Sequence, residues 1–393
     1  MGSDYHSAHR RDLLIGAALL ASAAALLHWP QESISAVREG LALCGNVLIP
    51  SLFPFFVLSN LVVRLGMSRY LGKWLEPLMR PLFQVGGNCS CALVLGFIGG
   101  YPIGARTAIS LYQNGQCSKT ECERLLAFCN NSGPAFIFGV VGAGIFGSGT
   151  IALLLYLTHI AASLLVGFLF RFYRHTQRPS SCASHWNIQV TPFASAFTHS
   201  ITDSLSSILN ICSFVLFFTV FLRCLSLSGL LPALSGLMAG LLSPTGLTQT
   251  FFQQLLTGMI ELSSGVSSLI GTQTLSRQVS LAAFMLGWAG LSVHCQVLSF
   301  LGECGLSAKT YLFGKLLHGI FSAILTNLAL RALSIEQSAA HCFTHQMEPI
   351  SSLNLIHSLS LSLICTVLCW SLFFFLTILA VKKRSGKDRR CAL

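Results

Sequence analysis

Charge is what this 393-residue chain has least of: 24 Lys or Arg and 13 Asp or Glu leave only 9% of its side chains charged. A soluble domain carries about a quarter, whereas 53% of this sequence is hydrophobic and 28 residues are Phe. That shortage excludes a soluble enzyme, a disordered chain and a nucleic-acid binder together. A metal or disulfide framework is lacking too. Most of the 15 cysteines sit in apolar runs (Cys129, Cys212, Cys295, Cys365, Cys369), where a thiol behaves as a small hydrophobe. Cys89-x-Cys91 and His341-Cys342-x-x-His345 are the only hints of a metal, and neither has a second half. There is no Ser-His-Asp set in a plausible context and no phosphate-binding loop, since Gly99 to Gly104 lies in an apolar stretch rather than after a strand. The chain is therefore not expected to be an enzyme. No cofactor is called for, and a coupling proton or sodium ion stays open.

What charge there is has a position. Fifteen of the 24 bases fall in four groups: Arg10 and Arg11; Arg64, Arg69, Lys73 and Arg80; Arg171, Arg174 and Arg178; and six between Lys382 and Arg390. Membrane proteins hold such residues in cytoplasmic loops. The net charge of +11 thus marks an inner membrane face, with both termini in the cytoplasm.

Crossing the hydrocarbon takes about 20 apolar residues at about 1.5 Å each. Clear runs occupy 13 to 29, 43 to 63, 150 to 170, 208 to 228, 310 to 330 and 356 to 381. The first is either a cleaved signal or a retained helix, and the missing polar cleavage region favours the helix. Two more regions, 85 to 147 and 248 to 303, are apolar but interrupted by Gly, Pro, Asn and Ser. Non-helical backbone survives at membrane depth only where protein or a wet cavity satisfies it, so each break points to a site. Each region is expected to form a re-entrant hairpin followed by a broken spanning helix.

The two regions look like copies. Gly96 precedes Gly258 by 162 residues, and Leu126-Ala127-Phe128 resembles Ala282-Ala283-Phe284 at a spacing of 156. The charge pattern enters the first hairpin from inside and the second from outside. The expected fold is an all-α polytopic membrane protein, with about eight spanning helices and two re-entrant hairpins in an inverted-topology repeat. Its parts would be an N-terminal helix and external loop (1–42), a first repeat (43–172), a cytoplasmic linker (173–207), an inverted second repeat (208–332), and an external loop, last helix and basic tail (333–393). Opposed units with discontinuous helices are how secondary transporters build a midplane site.

At Gly99-Gly100-Tyr101-Pro102-Ile103-Gly104-Ala105, followed by Glu123-Arg124-Leu125-Leu126-Ala127-Phe128-Cys129-Asn130-Asn131-Ser132-Gly133-Pro134, the sequence resembles the YlbJ-like sporulation integral membrane proteins. Those proteins carry the nucleoside-recognition or Gate domain, and the likeness runs from about 40 to 330. Glu261 to Gly265 and Gly290 to Val297 also resemble their pattern. The resemblance implies a relative of concentrative nucleoside transporters, moving dipicolinic acid from the mother cell across the outer forespore membrane, with a place in the cell membrane or outer forespore membrane. The alternatives are a nucleoside and cation symporter or a non-transporting sporulation scaffold. The implied partners are a small anionic substrate and the lipid bilayer, with no nucleic acid; a homo-oligomer stays open.

An aromatic dicarboxylate needs positive potential, donors and a surface for its ring. Half-helix N-termini after Pro102 and Pro134 would offer N–H groups. Arg106 would either pair with a carboxylate or snorkel to the interface. Asn130 and Asn131 would contact substrate or cap the break. Glu261 would carry a proton or cation, or serve as a structural partner. His294 and Gln296 are two apart, so they share a cavity only if the backbone there is extended. Tyr101 would stack on the ring or merely pack, and Ser263 and Ser292 complete the expected substrate-binding set. Gly99, Gly100, Gly104, Gly265 and Gly290 are read as structural turns along with the two prolines.

Overall fold

The structure, a computed structural model, describes residues 19–65, 68–174, 192–270, 274–302 and 304–333, together with Leu13, Gly16 and Ala17. The span expected at 356 to 381, the basic tail and the His341-Cys342-x-x-His345 motif lie outside these residues. So does most of the stretch between 173 and 192. The described residues are helical throughout, with no strand among them.

After an apolar helix at Leu19–His28 the chain runs through α1 (Pro30–Leu43) and a π-helical turn into α2 (Ile49–Arg64). The external loop expected up to residue 42 is thus helical: Pro30 opens α1 at a position where its missing N–H costs nothing. Next comes α3 (Ser68–Phe83), amphipathic and holding Pro77 and Pro81. Its last turn meets the following helix at a 97° bend, where Gln84 adopts a φ of 56°. The first hairpin is α4 (Ser90–Gly99) and α5 (Ile103–Gln113); α6 (Lys119–Leu126) follows, then an irregular stretch, a π-helix (Ala135–Ile145) and α7 (Gly149–Phe170).

The same order then repeats. A long α8 (Phe193–Leu227) leads to a short apolar α9 (Leu230–Leu241) and a second hairpin, α10 (Gln249–Ile260) and α11 (Leu262–Ser267). A broken pair, α12 (Leu275–Trp288) and α13 (Gly290–Gly302), precedes α14 (Ala308–Ala332). The span expected at 208 to 228 begins earlier, at Phe193, directly after Pro192. By length and composition five described helices can cross a membrane, or six if the bent pair at Pro77–Gly99 counts as one.

Glycine explains how tightly each hairpin closes. A Cβ on Gly96 or Gly104 would run into the carbonyl of Cys129, and the two glycines face one another across the hairpin. In the second hairpin a Cβ on Gly265 would strike Gly258, whose own Cβ would meet the Met285 side chain at 2.5 Å. Cys129 and Met285 are 156 apart, the spacing of the sequence repeat. Both hairpins therefore rest on the same position of their broken helices.

The core follows this arrangement. Phe83, Leu125, Phe128, Val166, Phe170 and Tyr311 form one buried cluster, with the Phe83 and Phe128 rings 4.8 Å apart. α14 is inside out for a soluble helix: Tyr311, Lys315, His318, Ser322 and Thr326 are buried, while Phe313, Ile324 and Leu328 are exposed. A helix with its polar stripe inward and its apolar stripe outward suits lipid.

Candidate functional site

Three side chains tie down the first broken helix before any site is reached. Ser118 and Glu121 form a capping box at the start of α6, and Glu121 also accepts the Gly86 N–H at 2.8 Å. Arg124, wholly buried, donates to the carbonyls of Gln84 (2.6 Å), Tyr173 (2.7 and 2.9 Å) and Arg174 (3.0 Å). It closes the C-terminal end of α7, where unpaired carbonyls gather negative potential. Glu123 accepts the Tyr173 hydroxyl at 3.0 Å and the Ser307 N–H at 3.1 Å, ahead of α14. The adjacent Glu-Arg pair of the motif thus pins α6 to the ends of α7 and α14.

Beyond α6 the chain unwinds through Asn130, Asn131, Ser132 and Gly133, all buried. The freed groups find side-chain partners on distant helices, as burial demands. Lys315 Nζ donates to the Asn130 carbonyl at 2.8 Å, the Ser132 N–H donates to His159 Nε2 at 3.1 Å, and Ser163 donates to the Phe128 carbonyl at 2.7 Å. Asn131 Nδ2 reaches the same Phe128 carbonyl at 2.9 Å. Asn130 Oδ1, Asn131 Oδ1 and His159 Nδ1 are buried without a partner among the described residues.

The first hairpin tip packs against this break. Gly100, with a φ of +73°, lies so close to Gly133 that a Cβ would meet its nitrogen at 2.8 Å. Tyr101 donates to the Leu286 carbonyl at 2.8 Å and accepts from Lys315 at 2.9 Å. Pro102 and Pro134 each stand immediately before a helix, at the N-caps of α5 and the π-helix. The second hairpin repeats the scheme. Its tip is Glu261, which caps α11 by accepting N–H bonds from Ser263 at 3.0 Å and Ser264 at 2.6 Å. It lies against the break at Ala289 and Gly290, where a Cβ on Gly290 would reach the Leu262 nitrogen at 3.0 Å. Gly133 and Gly290 are 157 apart, within one residue of the 156 that separates Cys129 from Met285.

A cavity opens where the tips converge, with about 60 Å³ of room for water-sized molecules. One water needs roughly 10–15 Å³ on that measure. Its polar side is formed by Gly99, Gly100, Tyr101, Gly133, Glu261, Ser263, Ser292 and Gln296. Its apolar side comes from α2 (Leu52, Phe56), the π-helix (Phe136), α8 (Ile211, Phe214, Val215) and Val293. Glu261 is the one charged residue among the lining residues.

Of the expected site residues, Tyr101, Glu261, Ser263, Ser292 and Gln296 line this cavity. Arg106 does not: its side chain is exposed and its guanidinium lies 5.3 Å from the centre of the Phe300 ring. The guanidinium thus stays outside the cavity lining. Because α13 is regular, Ser292 and Gln296 share a face, four residues apart, while His294 points the other way, 3.0 Å from Tyr311. Asn130 and Asn131 are behind the cavity wall, in the break itself.

Sequence reasoning missed Lys315, His318 and His159. Lys315 also contacts His318 Nδ1 at 3.2 Å, and His318 Nε2 lies 3.0 Å from the His159 carbonyl. The signal was available, since each is an ionisable residue inside an expected span. The apolar lining carries no such signal, because a Phe or Leu facing a cavity reads like one facing lipid.

Apolar helices wrapped around broken helices and hairpins, with the polar groups turned inward, define an all-α integral membrane protein. A family model described as Gate, nucleoside recognition, matches residues 47–176. The sporulation integral membrane protein YlbJ of Bacillus subtilis (strain 168) is 33% identical over 339 residues, covering 82% of this chain and 83% of that protein. The chain belongs to this family of YlbJ-like sporulation integral membrane proteins. Among solved structures, CNTnw in an inward-facing substrate-bound state aligns with a TM-score of 0.49 at 14% identity, over 81% of this chain and 86% of that one. A CNTnw variant in an outward-facing state gives 0.49 at 12% identity, over 82% and 85%.

Proposed function

We propose that this chain is a membrane carrier that moves dipicolinic acid, a small aromatic dicarboxylate, from mother cell toward forespore by alternating access, in the cell membrane or outer forespore membrane with both termini in the cytoplasm. The observation that carries the reading is the cavity at which both hairpin tips meet. Phe56, Phe136 and Phe214 give a planar ring an apolar wall. On the other side, Ser263, Ser292 and Gln296 can donate hydrogen bonds to carboxylate oxygens. Both oxygens of Glu261 are taken up by N–H groups of α11, and the Lys315 ammonium lies behind Tyr101, 4.9 Å from its ring centre. The family's place in sporulation supports this substrate.

The test is uptake of labelled dipicolinate by liposomes containing only the purified protein. Uptake that unlabelled dipicolinate competes away supports the proposal, and uptake no faster than in empty liposomes overturns it. Glu261 favours one other reading, since a carboxylate in the lining suits the hydroxyls of a neutral sugar. Competition by uridine and not by dipicolinate would establish a nucleoside carrier instead.

A further inference from the structure

Lys315 is 0% exposed, on the buried face of α14. Its Nζ has three neighbours within hydrogen-bond distance: the Tyr101 hydroxyl at 2.9 Å, the Asn130 carbonyl at 2.8 Å and His318 Nδ1 at 3.2 Å. Each must accept. Tyr101 spends its own proton on the Leu286 carbonyl, and the Asn130 carbonyl has none. His318 aims Nε2 at the His159 carbonyl, which places the ring proton there and leaves Nδ1 with a lone pair. Three acceptors match the three N–H donors of an ammonium ion. Among the described residues no carboxylate lies within ion-pair distance of it.

A buried cation held by a main-chain carbonyl, a hydroxyl and an imidazole at an unwound helix occupies the kind of place where broken-helix carriers hold an alkali-metal ion. Here the cation is covalently attached to the chain. It bridges three separate pieces: the first hairpin tip through Tyr101, the first break through Asn130, and α14 through its own backbone. We infer that Lys315 is the resident cation of the first helix break, filling a monovalent-cation seat that therefore takes no sodium or potassium ion. The inference adds to the carrier reading the identity of the charge at the break, and it is tested without transport, so the two can fail separately.

The experiment is thermal unfolding of the purified full-length protein in detergent, in sodium, potassium or choline chloride at matched ionic strength. Wild-type protein is expected to melt at the same temperature in all three. Lys315→Ala removes the ammonium but leaves the acceptors; it is expected to melt lower in choline and to recover by about 2 °C or more in sodium or potassium, as ligand binding to the folded state requires. A saturable rise of wild-type melting temperature specific to sodium or potassium overturns the inference. So does a folded Lys315→Ala that melts identically in all three salts. If Lys315→Ala yields no folded protein, the wild-type comparison decides alone: equal melting supports the resident cation, and an alkali-ion-specific rise refutes it.

Discussion

The imidazole of His318 on α14 packs 4.3 Å, centre to centre, from that of His159 on α7, and its Nε2 lies 3.0 Å from the His159 carbonyl. The two residues are 159 positions apart, within the spread of spacings that relates the two halves of the sequence. Each is the eleventh residue of its helix. Matching positions of the two repeats therefore meet in the middle of the bundle. The contact is asymmetric in chemistry: His159 accepts from the backbone of the first break, whereas His318 supports Lys315.

The glycines that let each hairpin close are expected to differ in tolerance. At Gly104 an added methyl meets the Cys129 backbone, which cannot move aside, so Gly104→Ala should cost about 3 kcal/mol or more. At Gly258 the obstacle is the flexible Met285 side chain, and Gly258→Ala should cost about 1 kcal/mol. Among the described residues nothing lies within 4 Å at Gly240, where Ala should be neutral or slightly stabilising. Melting temperatures of the three variants in detergent check the order.

Glu261 and Arg106 are expected to separate. Glu261→Gln replaces a carboxylate that accepts two N–H bonds with an amide whose NH2 would face one of those donors, at the edge of the cavity. Uptake by reconstituted protein should fall at least about tenfold. Arg106→Ala removes a guanidinium from the face of Phe300 on an exposed side chain, and uptake should stay within about twofold of wild type. Equal losses in both variants would return Arg106 to the site.

Arg124→Lys should not behave as a conservative change. The guanidinium fork reaches three carbonyls that a single ammonium cannot reach together. The variant is expected to lose about 2–3 kcal/mol, with the C-terminal end of α7 opening first. Hydrogen exchange of the amides from Phe170 to Arg174, set beside those in the middle of α7, would show whether the loss is local.

Much of the fold was legible because its signals are local. A run of apolar residues, a Gly-Gly-Tyr-Pro turn and an Asn-Asn-Ser-Gly-Pro break each state their own conformation, and two copies at similar spacings state the repeat. Half of the site was legible for the same reason: Tyr101, Glu261 and Ser263 belong to hairpin tips. Gln296 and His294 were not separable from sequence until α13 proved regular, which sent one to the cavity and the other to Tyr311. Arg106 was undecided between clamp and interface because the depth of a hairpin depends on what it packs against.

By itself the sequence determined a membrane protein of paired hairpins and broken helices, since hydropathy and backbone preference are properties of neighbouring residues. Only the tertiary structure decided which buried polar groups meet. Lys315 and Asn130 are 185 positions apart, and nothing near either residue says that one will supply the proton the other's carbonyl lacks. That pairing exists because α14 packs against the first break, a relation set by helices closing on one another across the whole chain.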